Sequence, residues 1–179
     1  MIYVFLAEGF EETEAIGPID VLRRAGLEVK TVGIGGERIK GSHGIEIKAD
    51  ISEGDVQTDS LDAMVLPGGM PGTLNLEKNE TVQRLIDFCS SNDKYLCAIC
   101  AAPSVFGHKG LLNGKEATAF PEFQSHLEGA VLSEKFVAHD GKYITARGAG
   151  VSLEFGAEIA SVFIGKDKAY SILKSMQCK

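Results

Sequence analysis

The residues best suited to chemistry lie in one short run, residues 94–104, with Cys100 near its centre. Residues 95–99 are apolar and predict a buried strand, and small residues follow it at once. Pro103 then begins a segment that is compatible with a helix. The run therefore predicts a strand, a tight turn and a helix, with Cys100 on the turn.

Ala98 and Ala102 stand two residues before and two residues after Cys100. A sharp turn needs small residues there, because the backbone doubles back on itself. The pattern matches the G-x-S-x-G nucleophile elbow, with Cys in place of Ser and Ala in place of Gly. Backbone N–H groups and the positive end of the following helix favour a thiolate, so we expect a lowered pKa for Cys100. On these residues alone, buried packing explains a free cysteine equally well.

The other cysteines fit a packing role in a reduced environment. The chain has four cysteines at irregular spacing, with Cys89 in a predicted amphipathic helix and Cys97 inside the predicted strand. Cys97 and Cys100 form a C-x-x-C, but side chains alternate along a strand, so we expect the two to point to opposite faces rather than form a redox pair. We therefore expect a cytoplasmic protein with reduced thiols.

Length and composition indicate one ordinary globular domain, residues 1–179. The hydrophobic fraction is 44% and the net charge is −7, which argues against general affinity for nucleic acid or anionic membranes. The first residues lack the basic segment of a signal peptide. No apolar run approaches the ~20 residues needed to span a bilayer.

Apolar strands alternate with helical patterns along the chain, which predicts an α/β fold with a mainly parallel sheet covered on both faces. The predicted strands are 2–7, 27–34, 61–66, 95–99, 116–120, 135–138 and 143–146, with a hairpin or two edge strands in 39–51; the predicted helices are 11–24, 80–88, the segment after Cys100, 152–164 and 166–176. Ligand sites in such sheets form at the carboxyl ends of the strands. The Glu-rich turn after the first strand, the loop 67–72 and the Cys100 turn should meet there.

Five segments also carry a family resemblance, and they occur in a fixed order: 7–14, 20–26, 66–69, 98–103 and 146–150. Together they resemble the DJ-one/ThiJ/PfpI family, and within it the DJ-one and YajL-like branch, over nearly the whole chain. The resemblance implies a flavodoxin-like three-layer sandwich that forms a homodimer. It implies that Cys100 is the nucleophile and that Glu14 is its protonated carboxyl partner, which stabilises the thiolate while burial raises the pKa of Glu14.

The resemblance also suggests supporting residues around this pair. Backbone N–H groups of Gly68, Gly69 and Ala101 would stabilise an oxyanion on substrate or on oxidised sulfur. Four further residues would support the dimer or the pocket, with His43 aligned near a position where the family places a cation from the partner: Glu11, Arg24, His43 and Gly148.

At two positions the sequence lacks a histidine that other family members have, and this limits the reactions that Cys100 can catalyse. Phe120 stands where several relatives have a histidine near the cysteine, and Ala101 stands where hydrolase branches have one. Protease chemistry needs a base that carries a proton to the leaving amine, so the sequence argues against a protease. The other histidines lie outside the motifs and show no metal-ligand spacing: His108, His126 and His139. We expect no metal and no cofactor.

Two functions remain open. In the first, Cys100 attacks a reactive dicarbonyl such as methylglyoxal and Glu14 shuttles protons, which makes the protein a glyoxalase without glutathione, or a deglycase of proteins or nucleotides. In the second, Cys100 oxidises to sulfinic acid, and the protein is a redox-sensing stress protein or a chaperone. The same residues serve both functions, so the sequence does not separate them.

Overall fold

The computed structural model describes residues 1–178. Its strands are β1 (Ile2–Leu6), β2 (Val29–Gly33), β3 (Arg38–Lys40), β4 (Glu46–Lys48), β5 (Ile51–Ser52), β6 (Ala63–Leu66), β7 (Tyr95–Ile99), β8 (Glu116–Ala117), β9 (Val131–Leu132), β10 (Val137–Asp140) and β11 (Tyr143–Ala146). Its α-helices are α1 (Glu12–Arg24), α2 (Gly72–Lys78), α3 (Glu80–Ser91), α4 (Pro103–His108), α5 (Ser152–Ile164) and α6 (Lys166–Ser175).

A seven-stranded sheet in the order β10-β11-β7-β6-β1-β2-β5 forms the centre of the molecule. Its strands pair in parallel, except that β10 runs antiparallel to β11 at one edge. β3 and β4 form a separate antiparallel hairpin, and β8 pairs with β9. The predicted mainly parallel sheet is confirmed.

Helices cover both faces of this sheet, so the fold is a flavodoxin-like three-layer sandwich. One buried cluster joins α1, α5 and α6 to the sheet, with Leu22 and Phe155 among its members. The other joins α2, α3 and α4 to the opposite face, where Phe5 and Phe106 are fully buried. The strands are apolar on both faces because helices exclude water from each side.

The first helix begins where the sequence places its carboxylates. Glu11 caps α1 by accepting a hydrogen bond from the N–H of Thr13, and Glu12 and Glu14 lie in the first turn. Arg23 and Arg24 lie in the last turn, so both helix ends carry the charges that suit the helix dipole. This start brings Glu14 to the carboxyl edge of the sheet.

Two local predictions differ from the structure. The sequence pattern predicts no helix between the loop 67–72 and the helix 80–88, yet α2 begins at Gly72 itself. The predicted strand 116–120 is only two residues long and pairs with β9, which the sequence did not predict. The helix after Cys100, α4, ends at His108, and a side chain at Gly107 would overlap the carbonyl of His126.

The hairpin prediction for residues 39–51 is confirmed by β3 and β4, and β5 adds an edge strand beside β2. In the described part of the chain, none of the helices has the length and apolar character required for crossing a bilayer.

Candidate active site

Cys100 follows β7 directly and adopts a left-handed backbone conformation, with φ of 64°. A residue with a Cβ seldom adopts this region, at a cost of roughly 1–2 kcal/mol. Two backbone hydrogen bonds hold it there: the Cys100 N–H donates to the Ala146 carbonyl, and the Phe120 N–H donates to the Cys100 carbonyl, each at 2.9 Å. The predicted nucleophile elbow is therefore present, and strand β11 and the Phe120 segment fix it from either side.

The Glu14 carboxyl lies against this elbow and is only 1% exposed. It shares a side-chain hydrogen bond with the Cys100 thiol, and the Gly68 N–H donates to its Oε2 at 3.0 Å. The backbone of Ala149 contributes another hydrogen bond to the carboxyl. The Glu14 carboxyl thus lies beside the Cys100 thiol, and the catalytic role of the pair stays a prediction.

Gly68, in the family segment 66–69, lies against both Glu14 and Cys100. An added Cβ at Gly68 would lie 2.6 Å from Glu14 Oε2 and 2.7 Å from Cys100 Cβ, so no side chain fits. The neighbouring Gly69 has φ of 87°, and the backbone N–H groups of Gly69 and Ala101 lower the pKa of the Cys100 thiol because they stabilise a negatively charged sulfur. The N–H groups of Gly69 and Ala101 therefore face the sulfur, whereas that of Gly68 faces the carboxylate.

The proton affinities of the pair are strongly shifted. Burial raises the pKa of Glu14 from its ordinary value of 4.5 to about 7, against the hydrogen bonds from Cys100 and Gly68, which lower it. Burial, followed by the charge and hydrogen bond of Glu14, raises the pKa of Cys100 to about 12. The raised Glu14 pKa agrees with the sequence analysis. The expected lowering of the Cys100 pKa is wrong, because burial and a neighbouring carboxylate outweigh the two N–H groups.

Between these two pKa values the pair holds one proton and one negative charge. A second negative charge is costly because both groups are buried beside each other. The shared hydrogen bond lets the proton sit on either partner. When it sits on Glu14, the sulfur is a thiolate that receives hydrogen bonds from Glu14, Gly69 and Ala101. The reactive state is therefore a proton tautomer of the pair and not a freely ionising thiol.

A pocket of about 460 Å³ lies next to the backbone of Gly148 and Ala149, which separates it from the Glu14 carboxyl. Its walls are mostly apolar, with a guanidinium at one side; they are formed by Phe120, Pro121, Phe136, Arg147 and residues 148–151. Gly148 links the pocket to the pair, since an added Cβ there would lie 3.5 Å from Phe120 and 3.8 Å from Glu14 Oε1. The supporting role predicted for Gly148 thus has a location between the pocket wall and the carboxyl.

The wall residues Phe136 and Arg147 were not singled out from the sequence. The Arg147 guanidinium lies 5.0 Å from the centre of the Phe136 ring, and its N–H groups donate to the Ser133 carbonyl and the Thr118 hydroxyl. Arg147 stands within the fifth family segment, which was a usable signal. Nothing in the sequence pattern places Phe136 beside it.

Arg24 lies away from the pair. It forms an exposed ion pair with Asp20 at 2.8 Å in the last turn of α1. Arg24 stands ten positions after Glu14 in the same helix, which is roughly 15 Å along the axis. The structure therefore does not bring Arg24 to the site.

Glu11 and His43 meet each other next to the site, 3.0 Å apart. Glu12, which was not among the predicted site residues, is 6% exposed and accepts hydrogen bonds from the N–H groups of His43 and Ile45. Its partner segment lies about 30 residues away on the β3–β4 hairpin, so no local pattern revealed the contact. Glu11 reaches the pair through its charge, which raises the pKa of Glu14.

The two cysteines of the C-x-x-C contact the same core cluster, on the α1 and α5 face of the sheet. The expected opposite orientation is wrong, because Cys100 has already left the strand and its side-chain alternation. Cys97 is completely buried, and burial raises its pKa well above the ordinary range. Its packing role is consistent with this position.

Comparison with known proteins agrees with this geometry. The family model described as DJ-1/PfpI family matches residues 1–162. The chain belongs to the DJ-1/PfpI family. Protein dj-1beta of Drosophila melanogaster is 38% identical over 176 residues, which cover 97% of this chain and 94% of that protein.

Further members of the DJ-1/PfpI family resemble the chain over nearly its full length. The solved structure titled Toxoplasma gondii DJ-1, oxidized, has a TM-score of 0.94 and 31% identity, with 98% of this chain and 97% of that chain covered. The Caenorhabditis elegans protein named glutathione-independent glyoxalase DJR-1.2 is 30% identical, with 94% of this chain and 91% of that protein covered. The family thus includes a glyoxalase-type enzyme.

Proposed function

We propose that this protein is a cysteine-dependent enzyme that converts reactive dicarbonyls such as methylglyoxal into hydroxy acids without glutathione. The observation that carries the proposal is the buried Glu14–Cys100 pair, which shares one proton near an open pocket. The DJ-1/PfpI membership and the naming of the nematode relative as a glyoxalase support it.

The proposed reaction uses both members of the pair. The Cys100 thiolate attacks the aldehyde carbon of methylglyoxal, a C–S bond forms, and the carbonyl oxygen takes a proton to give a hemithioacetal. Glu14 then removes the proton from that carbon and returns it to the adjacent ketone carbon, while the hydroxyl proton moves to the former ketone oxygen, so that a thioester of lactate remains. Water hydrolyses the thioester and restores Cys100, so methylglyoxal and water give lactate.

The geometry favours this chemistry over peptide cleavage. A carboxyl with a pKa of about 7 accepts and returns a proton readily near neutral pH. Phe120 lines the pocket where relatives have a histidine, and it offers no proton to a leaving amine. A dicarbonyl needs no such leaving group, because the proton moves within one small molecule.

Lactate production from methylglyoxal in glutathione-free buffer tests the proposal. We expect wild type and Cys178→Ala, a variant of a partly exposed thiol outside the pair, to turn over methylglyoxal. Cys100→Ala and Glu14→Ala should lose at least about 100-fold of the activity. Equal turnover by all of these proteins would contradict the proposal.

The same pair also suits deglycation, in which the substrate is an early methylglyoxal adduct of a protein or nucleotide. Free methylglyoxal in equilibrium with such adducts gives the same product. An assay with a fast chemical trap for the free aldehyde separates the two reactions. If wild type and Cys100→Ala remove the adduct at the same rate when the trap is present, the enzyme acts only on free dicarbonyls.

A redox-sensing function is the second candidate, and the N–H groups of Gly69 and Ala101 at the sulfur favour it. They would hold the oxygens of a sulfinate at Cys100. Graded peroxide treatment followed by mass spectrometry should oxidise Cys100 before the buried Cys89. Equal oxidation of both residues would remove the basis for this function.

We also propose that the protein is a cytoplasmic homodimer. An apolar groove of about 580 Å³ lies between the start of α1 and the start of α5, and Ile16 and Ile45 beside it are 45% and 59% exposed. Exposed apolar side chains of this kind mark association surfaces. Light scattering should give a dimer for wild type and a monomer for Ile16→Glu; a monomeric wild type would contradict the proposal.

A further inference from the structure

Four polar side-chain atoms converge where the start of α1 meets the turn of the β3–β4 hairpin. They are Glu11 Oε2, Glu12 Oε2, Ser42 Oγ and His43 Nδ1. The His43 nitrogen lies 3.0 Å from the Glu11 oxygen and 3.1 Å from the Glu12 oxygen. The Ser42 hydroxyl lies 3.3 Å from Glu11, 3.4 Å from Glu12 and 3.2 Å from His43.

These separations match the edges of a small coordination polyhedron. A tetrahedral zinc ion binds nitrogen and oxygen at about 2.0–2.1 Å, so its ligand atoms stand about 3.3 Å apart. Glu11, Glu12 and His43 are the group of potential ligands found in residues 1–178 whose donor atoms all lie within 4.8 Å of one another. Two carboxylates and an imidazole form a donor set that suits divalent transition metals.

The backbone of the hairpin prepares one of these carboxylates in advance. Glu12 Oε1 accepts hydrogen bonds from the N–H groups of His43 at 2.9 Å and Ile45 at 3.2 Å. Its other oxygen, Oε2, is left facing Ser42 and His43. Gly41 packs so closely that an added Cβ would overlap the Glu12 carboxyl group, so the carboxylate has little room to rotate. Hydrogen-bonded support of this kind is typical of carboxylates that bind metals.

The charges of the group also favour a cation. Glu12 is nearly buried, with its side chain 8% exposed, and Glu11 is 17% exposed. The imidazole Nδ1 carries at most one proton, yet it faces an oxygen of each carboxylate. Both carboxylates raise the pKa of His43, so in the metal-free protein its imidazolium partly balances their charge. A divalent ion would displace the Nδ1 proton to solvent, contact both carboxylates at once and balance their two negative charges.

We propose that Glu11, Glu12 and His43, with the Ser42 hydroxyl, bind one divalent transition-metal ion of the zinc or cobalt type per chain. The site lies outside the Glu14–Cys100 pair, and the proposal does not depend on the proposed enzymatic function. Its residues come from two segments about 30 positions apart, which explains why the sequence spacing predicted no metal site.

Calorimetric titration with Zn²⁺ and absorption spectroscopy with Co²⁺ test the proposal on the full chain. His43→Ala is the informative variant, because the side chain is 70% exposed and its removal leaves the fold intact. His126→Ala is the matched control, since it removes the imidazole that lies 3.0 Å from His108, where two histidine nitrogens offer a competing surface site.

We expect wild type and His126→Ala to bind one Zn²⁺ per chain, and His43→Ala to bind it at least tenfold more weakly. Glu11→Gln should weaken binding in the same way. The Co²⁺ complex should show tetrahedral bands without a thiolate charge-transfer band. The proposal is overturned by any of three results: no Zn²⁺ binding by wild type, equal affinity of His43→Ala and wild type, or a thiolate band that assigns the ion to a cysteine.

Discussion

The Gly68 N–H lies 3.0 Å from Oε2 of Glu14, and this hydrogen bond joins two segments 54 residues apart. It holds the carboxyl in place against the Cys100 thiol. The glycine is required because a side chain at this position would enter the space that the two reactive groups occupy. The relative position of acid and thiol therefore depends on a backbone contact.

Gly68→Ala should disturb this arrangement. The new Cβ would lie 2.6 Å from the Glu14 oxygen, so we expect the carboxyl to move and kcat/KM for methylglyoxal to fall about 10- to 100-fold. Gly54→Ala is a suitable control, because its Cβ would meet only the Ser52 hydroxyl at 3.8 Å. Steady-state kinetics on both variants check the prediction, and an unchanged rate in Gly68→Ala would contradict it.

The reactivity of Cys100 should depend on pH through Glu14. Below the Glu14 pKa of about 7 the pair gains a second proton, and the thiolate tautomer disappears. The rate of iodoacetamide labelling at Cys100, measured by mass spectrometry, should therefore rise as pH increases through about 7. In Glu14→Gln this inflection should be absent. An identical inflection in the variant would assign the titration to another group.

The burial of Glu14 should also make the folded protein less stable at high pH, where its carboxyl is ionised. The folded-state pKa of Glu14, about 7, lies above its ordinary value of 4.5, so its stabilising contribution is complete below pH 4.5 and is lost as pH rises through 7. At pH 8, Glu14→Gln should therefore exceed wild type in unfolding free energy by up to about 3 kcal/mol.

Denaturant titrations of wild type and Glu14→Gln at several pH values measure that difference. It should shrink towards pH 4.5, where the wild-type carboxyl is already protonated in both states. A difference in unfolding free energy that stays constant with pH would show that burial does not disfavour the ionised form of Glu14.

The pocket wall should influence which dicarbonyl is preferred. Phe136 is 61% exposed, so Phe136→Ala should leave the fold intact while removing an aromatic surface beside Arg147. We expect KM for phenylglyoxal to rise about 2- to 10-fold, in line with the value of an aromatic contact, and KM for methylglyoxal to change little. Equal changes in KM for both substrates would show that the phenyl group of phenylglyoxal does not bind against Phe136.

The elbow was predictable because its determinants are local. The apolar run that forms β7, the small residues around Cys100 and the Pro103 helix start all lie within a few positions of one another. The sheet was predictable for a similar reason, since each strand is an apolar run between turn signals. The α2 helix was missed because its first residues, Pro71 and Gly72, are typical of loops.

The contacts around the elbow are not local, and the sequence reached them only through a family resemblance. Nothing in the spacing of Glu14 and Gly68 shows that they meet, and nothing pairs Glu12 with the β3–β4 hairpin. The direction of the Cys100 pKa was wrong for a physical reason: N–H groups are visible in a turn motif, whereas burial and a close carboxylate emerge only from packing.

The central claim is that Cys100 and Glu14 act as one unit, and a double-mutant cycle on kcat/KM for methylglyoxal tests it most directly. Groups that act together are strongly non-additive when removed. We predict that Cys100→Ala, Glu14→Gln and the double variant all fall to the same residual activity. A double variant whose loss equals the product of the two single losses, or a Glu14→Gln enzyme as fast as wild type, would contradict the account.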